Sequence, residues 1–222
     1  GRYIAIGGLS LGALKKIVRC TIACGFYIDI DIKNCHPVLL LHLCYKWGVS
    51  APLLEKYVTN RDEVLKSIGD NRDSAKKIIL SLINGGTVVS SSMYVNDLSE
   101  ELKRIRMCAI VKYPLEFSKI KDINIEKGKT YNHDGSFIST ILSDLENVVL
   151  QEIYTFFNKP KNAVLIYDGL MLVGKSCEDY DLLKCSKHIY DVLGINIELV
   201  DKKLNEGLNI SSENVEKYNE KI

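Results

Sequence analysis

The sequence predicts an α+β domain, and three observations carry that prediction. Segments with helical and strand periodicity interleave without a regular βαβ alternation. Residues 26–32 alternate apolar and acidic side chains at period two. A long amphipathic helical pattern over 137–157 precedes a hairpin signature at Asp168-Gly169. The composition fits a folded domain: 222 residues, 46% hydrophobic, 26% charged, with 15 glycines and 4 prolines. At roughly 100–200 residues per domain this is one large domain or two small ones, with enough length for a core. No segment has the low hydrophobicity and high net charge of a disordered chain. The longest apolar stretch, Val38–Leu43, is broken by His42 and is far below the roughly 20 residues that span a bilayer. With no secretory leader pattern either, a soluble intracellular protein is expected, in cytoplasm, nucleus or a viral replication site, with no membrane partner. Net charge is +1, so no global basic field advertises nucleic acid, although a basic cleft can sit inside a neutral total. The 7 cysteines are odd in number and form no CxxC pair, which reads as reduced, mostly buried thiols. Cys20, Cys24, His42 and Cys44 lack the short loop spacings of a zinc site.

Taken in order, Gly1–Gly12 is turn-rich, and Ala13–Cys24 carries Leu14, Ile17, Val18 and Ile22 on one side of a helix that Gly25 closes. A strand follows over 26–32, with Asp29 and Asp31 on one face. Pro37 opens an apolar helix over Val38–Trp47. Ala51–Tyr57 and Arg61–Ile68 read as short helices, and Asp70–Ile83 as a stronger one, capped by Asp70 or Asn71 and closed by Gly85-Gly86. Residues 87–131 are the least legible: a charged helical piece lies around Leu98–Arg106, and the lysine-rich run Lys119–Lys129 reads as a solvated loop or hairpin. The amphipathic helix over 137–157 leads to two short strands, Val164–Tyr167 and Leu170–Val173, flanking Asp168-Gly169. A helix over Tyr180–Val192, a strand over Ile195–Val200 and a polar tail complete the chain.

Three segments bear chemistry. Asp29-Ile30-Asp31 and Tyr167-Asp168-Gly169 bring carboxylates together if their strands are neighbours, which makes an oxygen site for Mg²⁺. Two such ions can stabilise the attacking and leaving oxygens of a phosphoryl transfer. Between them, Arg72 and Lys76 lie four apart on one helix face, continued by Leu80 and Asn84, a fork donor and a point charge suited to a triphosphate.

In order and texture these segments resemble the polymerase domain of family A DNA polymerases (the bacterial polymerase I type) and, more distantly, the single-subunit phage RNA polymerases. Asp31-Ile32-Lys33-Asn34-Cys35-His36-Pro37 resembles motif A. Arg72-Asp73-Ser74-Ala75-Lys76 with Asn84-Gly85 is similar to motif B, R-x3-K-x7-Y-G. Leu165–Leu170 resembles motif C, the opening Gly1-Arg2-Tyr3 looks like the G-R-L segment before motif A, and Gly135-Ser136-Phe137 matches the glycine-led helix before motif C.

The resemblance implies a palm (1–48 and 132–201) with a small antiparallel sheet carrying motifs A and C, helical fingers (about 49–131), an absent thumb and a polar tail over 202–222. It implies two Mg²⁺ ions held by Asp31 and Asp168, with the Ile32 carbonyl as an extra ligand; Asp29 lies on the same strand face, but alignment favours Asp31. Arg72 and Lys76 would hold the incoming dNTP, Lys76 also serving the leaving pyrophosphate, with Leu80, Asn84 and His36 lining the nucleotide. Arg2, Asp134 and Gly135 would lie along the primer-template. Three positions depart from the pattern: His36 replaces the ribose-excluding glutamate, Asn84 the motif B tyrosine, and Gly169 the motif C glutamate. The implied function is a template-directed DNA polymerase, a nucleotidyltransferase in DNA replication, as one domain of a longer polypeptide with a helicase or primase region. The alternatives are a primase-polymerase that starts chains de novo and an inactive palm-derived nucleic-acid-binding domain.

Overall fold

The computed structural model describes residues 10–69, 71–174, 181–205, 207 and 208. They form an α+β architecture, mostly helical, with one four-stranded antiparallel sheet. Its elements are α1 (Lys16–Ala23), β1 (Tyr27–Ile32), α2 (Cys35–Trp47), α3 (Pro52–Thr59), α4 (Arg61–Ile68), α5 (Arg72–Ile83), α6 (Met93–Lys112), α7 (Pro114–Glu126), α8 (His133–Phe156), β2 (Val164–Ile166), β3 (Gly169–Val173), α9 (Leu182–Leu193) and β4 (Leu199–Lys202). The chain divides into two compact units: Asn34–Glu146, and the flanking residues up to Lys33 and from Asn147 onward.

The flanking unit contains the sheet, in the order β2-β3-β1-β4. The sequence alternation over 27–32 forms the strand as expected, but its burial does not alternate: residues 27–29 are half-buried, and Asp31 is buried together with Ile30 and Ile32, both 1% exposed. β3 is interior and almost fully buried, which suits its near-continuous apolar run Leu170-Met171-Leu172. Cys20, Ala23, Ile166, Met171 and Leu204 form a core cluster here. The hairpin turn is shifted by one residue from the Asp168-Gly169 expectation, since Ile166 pairs with Gly169 and leaves Tyr167-Asp168 as the loop. A Cβ on Gly169 would lie 2.8 Å from the Ile30 carbonyl, so this glycine serves the close approach of β3 to β1. Tyr167 takes the positive φ of the turn instead, at 51°.

The Asn34–Glu146 unit is helical throughout its described residues, with α3 packed against α2, α4 and α6, and α5 against α4 and α6. Its core includes Leu39, Leu54, Tyr57, Ile79, Leu98 and Phe137, each at most 1% exposed. Asn71 caps α5 by accepting from the Ser74 N–H, as expected of that position. Buried Glu101 on α6 accepts from the Leu53 and Leu54 N–H groups at the start of α3, satisfying two donors that no helical partner can reach. Lys119–Lys129, expected as loop or hairpin, falls largely within α7, which follows Pro114 at its first position. None of the α7 residues is fully buried, so no apolar stripe marked it in the sequence. The charged piece around 98–106 is the middle of the twenty-residue α6.

One knot ties α5 to α8. Asn132 donates through Nδ2 to the Asn84 carbonyl (2.9 Å) and accepts through Oδ1 from the Gly135 N–H (3.1 Å). A Cβ on Gly135 would collide with the Asn84 carbonyl and the Asn132 side-chain oxygen. Gly135→Ala is therefore expected to destabilise the protein by about 2 kcal/mol or more. Gly69→Ala, in open space with extended backbone, should be near neutral. Denaturant midpoints of the two variants at constant slope check this, and equal midpoints would exclude a packing role for Gly135.

Candidate carboxylate site on the sheet

β1 is flanked by β3 and β4, and this places Asp31 directly across from Gly169 on one side and Val200 on the other. Asp168 precedes Gly169 in the turn, and its carbonyl accepts the Ile32 N–H at 3.2 Å. The two acidic residues, 137 positions apart in the chain, thus adjoin across the β1–β3 ladder. Asp31 is 8% exposed, whereas Asp168 is half-buried beside the exposed Tyr167.

The electrostatics follow from this placement. Burial pushes the Asp31 carboxyl up to about 6, and the nearby Asp168 charge adds to the rise; Lys202 opposes it. The Lys202 ammonium lies 2.5 Å from Asp31 Oδ2. Lys202 is paired in register with Asp29, so it reaches its partner diagonally along the ladder. Asp29 is also raised, first by burial, while Lys202 and Arg19 pull it down. Lys202 lies beyond the strand expected over Ile195–Val200, because the strand runs over Leu199–Lys202 instead. Ile195 and Ile197 are buried in the described structure but precede the ladder.

Ile32 is 1% exposed and follows Asp31 at the end of β1. Among the described residues, no group of three or more His, Cys, Asp and Glu side chains converges to hold a metal ion. The donors present, two adjoining carboxylates of which one is nearly desolvated, fit a hard cation that completes its shell with water and phosphate oxygens.

The other sequence-selected residues lie in the helical unit, apart from Arg2, which lies outside the described residues. Arg72 opens α5 and donates to Asp62 at 2.9 Å in a surface ion pair. Lys76 and Leu80 are half-buried along the same helix. Asn84 caps α5, and its Nδ2 donates to the Leu80 carbonyl at 2.8 Å. His36 Nε2 meets the Glu146 carboxylate at 2.8 Å, with only 14% of the imidazole side chain exposed. Asp134 accepts from Arg106 Nε at 2.7 Å. Burial would raise its carboxyl, but that guanidinium and local N–H donors hold it below the usual range. His36, Asn84, Asp134 and Gly135 are thus engaged in contacts within their own unit.

Over 223 residues, covering 92% of this chain, the protein is 30% identical to a protein of Sputnik virophage named "Putative helicase V13"; the chain spans 28% of that protein's length. No family model and no solved structure matches. The expectation of a template-directed DNA polymerase is corrected by this comparison, because the similar protein carries a helicase name and no family model or solved structure supports a DNA polymerase. The same finding corrects the DNA-directed DNA polymerase expected as its enzyme class.

A second string bears on a helicase-like relative. Gly169-Leu-Met-Leu-Val-Gly174-Lys175-Ser176 spells the G-x-x-x-x-G-K-S pattern of ATPase phosphate-binding loops. In the structure its first five residues are β3, and the Gly174 N–H donates to the Phe26 carbonyl at 2.8 Å. Those N–H groups serve the sheet, so the string does not cradle a phosphate there; Lys175 and Ser176 lie outside the described residues.

The raised Asp31 carboxyl has a consequence for stability. Between the unfolded value of 3.8 and about 6, the folded chain retains a proton that the unfolded chain has released. Stability is therefore expected to fall as pH rises from about 4 to about 6, by on the order of 2 kcal/mol from this group. Denaturant unfolding across that range should show the slope in the natural chain and its loss in Asp31→Asn. The same slope in both would contradict the assignment.

Proposed function

We propose that this chain is a nucleic-acid-binding domain of a larger helicase-type polypeptide. In this reading Asp31 and Asp168 hold a divalent cation, Mg²⁺ by the nature of the donors, against a phosphate of the bound strand. The single observation that carries it is the adjacency of Asp31 and Asp168 across the β1–β3 ladder, Asp31 being only 8% exposed. The Asp168 charge adds to the rise that burial gives the Asp31 carboxyl, and a site of this kind is relieved by a cation. The bound ion would supply charge neutralisation between carboxylate and phosphate oxygens. The residues themselves do the rest. Asp31 is fixed by the ladder on both sides, and the tight turn presents Asp168 at the sheet's end. A sheet displaying paired carboxylates on adjacent strands also supports a palm-like platform for the phosphate-bearing ligand.

The helicase name of the similar protein supports a nucleic-acid partner, and the strand conformation of residues 169–173 supports a role distinct from an ATP motor. Fluorescence anisotropy with a labelled single-stranded oligonucleotide, in Mg²⁺ and in EDTA, tests the proposal. Binding is expected to weaken about tenfold or more in EDTA, and Asp31→Asn and Asp168→Asn should lose that difference. Identical titrations in Mg²⁺ and EDTA for the natural chain would overturn it.

A further inference from the structure

We infer that Lys202 is a tethered cation that occupies the carboxylate site until a divalent ion displaces it, so that the Lys202–Asp31 ion pair sets the site's affinity for metal. This rests on the reading of Asp31 and Asp168 as a cation site and adds a residue that controls it.

The geometry is specific. Lys202 ends β4, paired in register with Asp29, and its chain crosses diagonally to place Nζ 2.5 Å from Asp31 Oδ2. The Asp31 side chain is 11% exposed, so an ammonium on Oδ2 takes up much of the space open to another ligand. The Lys202 side chain is 53% exposed, so it can leave toward water without repacking the core. Asp29 is available on the same strand face to receive it, being opposite Lys202 and already within its field. The neighbouring cations do not duplicate this role: Lys33 is held by Glu198 at 2.8 Å, and Arg19 donates to the Leu14 carbonyl at 3.4 Å. A charge delivered by the chain itself keeps the paired carboxylates in place when no ion is bound. It also lowers the apparent affinity for an ion by the fraction of time it occupies Oδ2.

Calorimetric titration of Mg²⁺ into the natural chain, Lys202→Gln, Lys202→Arg and Asp168→Asn tests this, with circular dichroism confirming that each is folded. Lys202→Gln is expected to bind Mg²⁺ about tenfold more tightly than the natural chain, Lys202→Arg close to the natural value, and Asp168→Asn not measurably. A second readout needs no variant: the Lys202 ¹⁵Nζ resonance of lysine-labelled protein should lose its ion-paired shift as Mg²⁺ is added. Equal or weaker binding by Lys202→Gln, with binding still abolished in Asp168→Asn, overturns the role of Lys202 and leaves the carboxylate site standing. An unmoved Lys202 resonance at Mg²⁺ saturation does the same. Absence of Mg²⁺ binding in every protein, Lys202→Gln included, overturns the carboxylate site and this inference with it.

Discussion

The close approach of β3 to β1 at Gly169 is the constraint on which the sheet-bearing unit turns. Because residue 169 has no Cβ, the strand can lie against the Ile30 carbonyl, and the turn before it delivers Asp168 beside Asp31. That proximity carries an electrostatic cost, since one carboxylate is nearly out of water and the other adds like charge. A side chain from the far strand offsets it. β4 lies on the other flank of β1, and its last residue, Lys202, supplies the compensating charge. Three strands and one glycine thus cooperate to maintain an arrangement that core packing alone would not favour. Sites with such an internal conflict are where function is sought first.

The helical unit follows a different logic. Several of its polar side chains complete backbone or side-chain hydrogen bonds: Glu101 at the α3 start, Glu146 on His36, Arg106 on Asp134 and the Leu82 carbonyl. A buried charge that accepts or donates two such bonds fixes helices relative to each other, and truncating one partner strands the other in a low-dielectric interior. Asn84, expected along the nucleotide, and Gly135, expected along the primer-template, both take part in such contacts within the unit. Gly135 is required because the Asn84 carbonyl sits where its Cβ would be.

The strands and the buried helices were legible because burial writes a period into the sequence. Tyr27–Ile32 alternates, α8 repeats apolar residues at helical spacing, and α4 matches its expected bounds of Arg61–Ile68. α7 was illegible for the complementary reason: with no fully buried residue it carries no stripe, and its lysines read as solvent-facing loop. The hairpin was found but misaligned by one residue, since an Asp-Gly pair is the usual loop and here the glycine belongs to the ladder. An acid in an apolar strand and an acid in a tight turn are both conspicuous, which marks Asp29, Asp31 and Asp168; the preference for Asp31 over Asp29 rests on the motif A resemblance. Lys202 could not be marked in this way, because its significance lies in a diagonal reach across a ladder whose register no local pattern reveals.

The string from Gly169 to Ser176 shows why letters alone do not assign chemistry. A phosphate-binding loop works by leaving successive backbone N–H groups free to point at one anion. An interior strand works by committing its N–H groups alternately to neighbours on both sides. Each N–H can do one of these, and residues 169–173 do the second, between β2 and β1, with Gly174 extending the ladder to Phe26. The pattern that most directly spells an ATPase is therefore spent on holding the sheet together. What that same strand contributes at its first residue is room: without a Cβ on Gly169, the turn before it brings Asp168 beside Asp31.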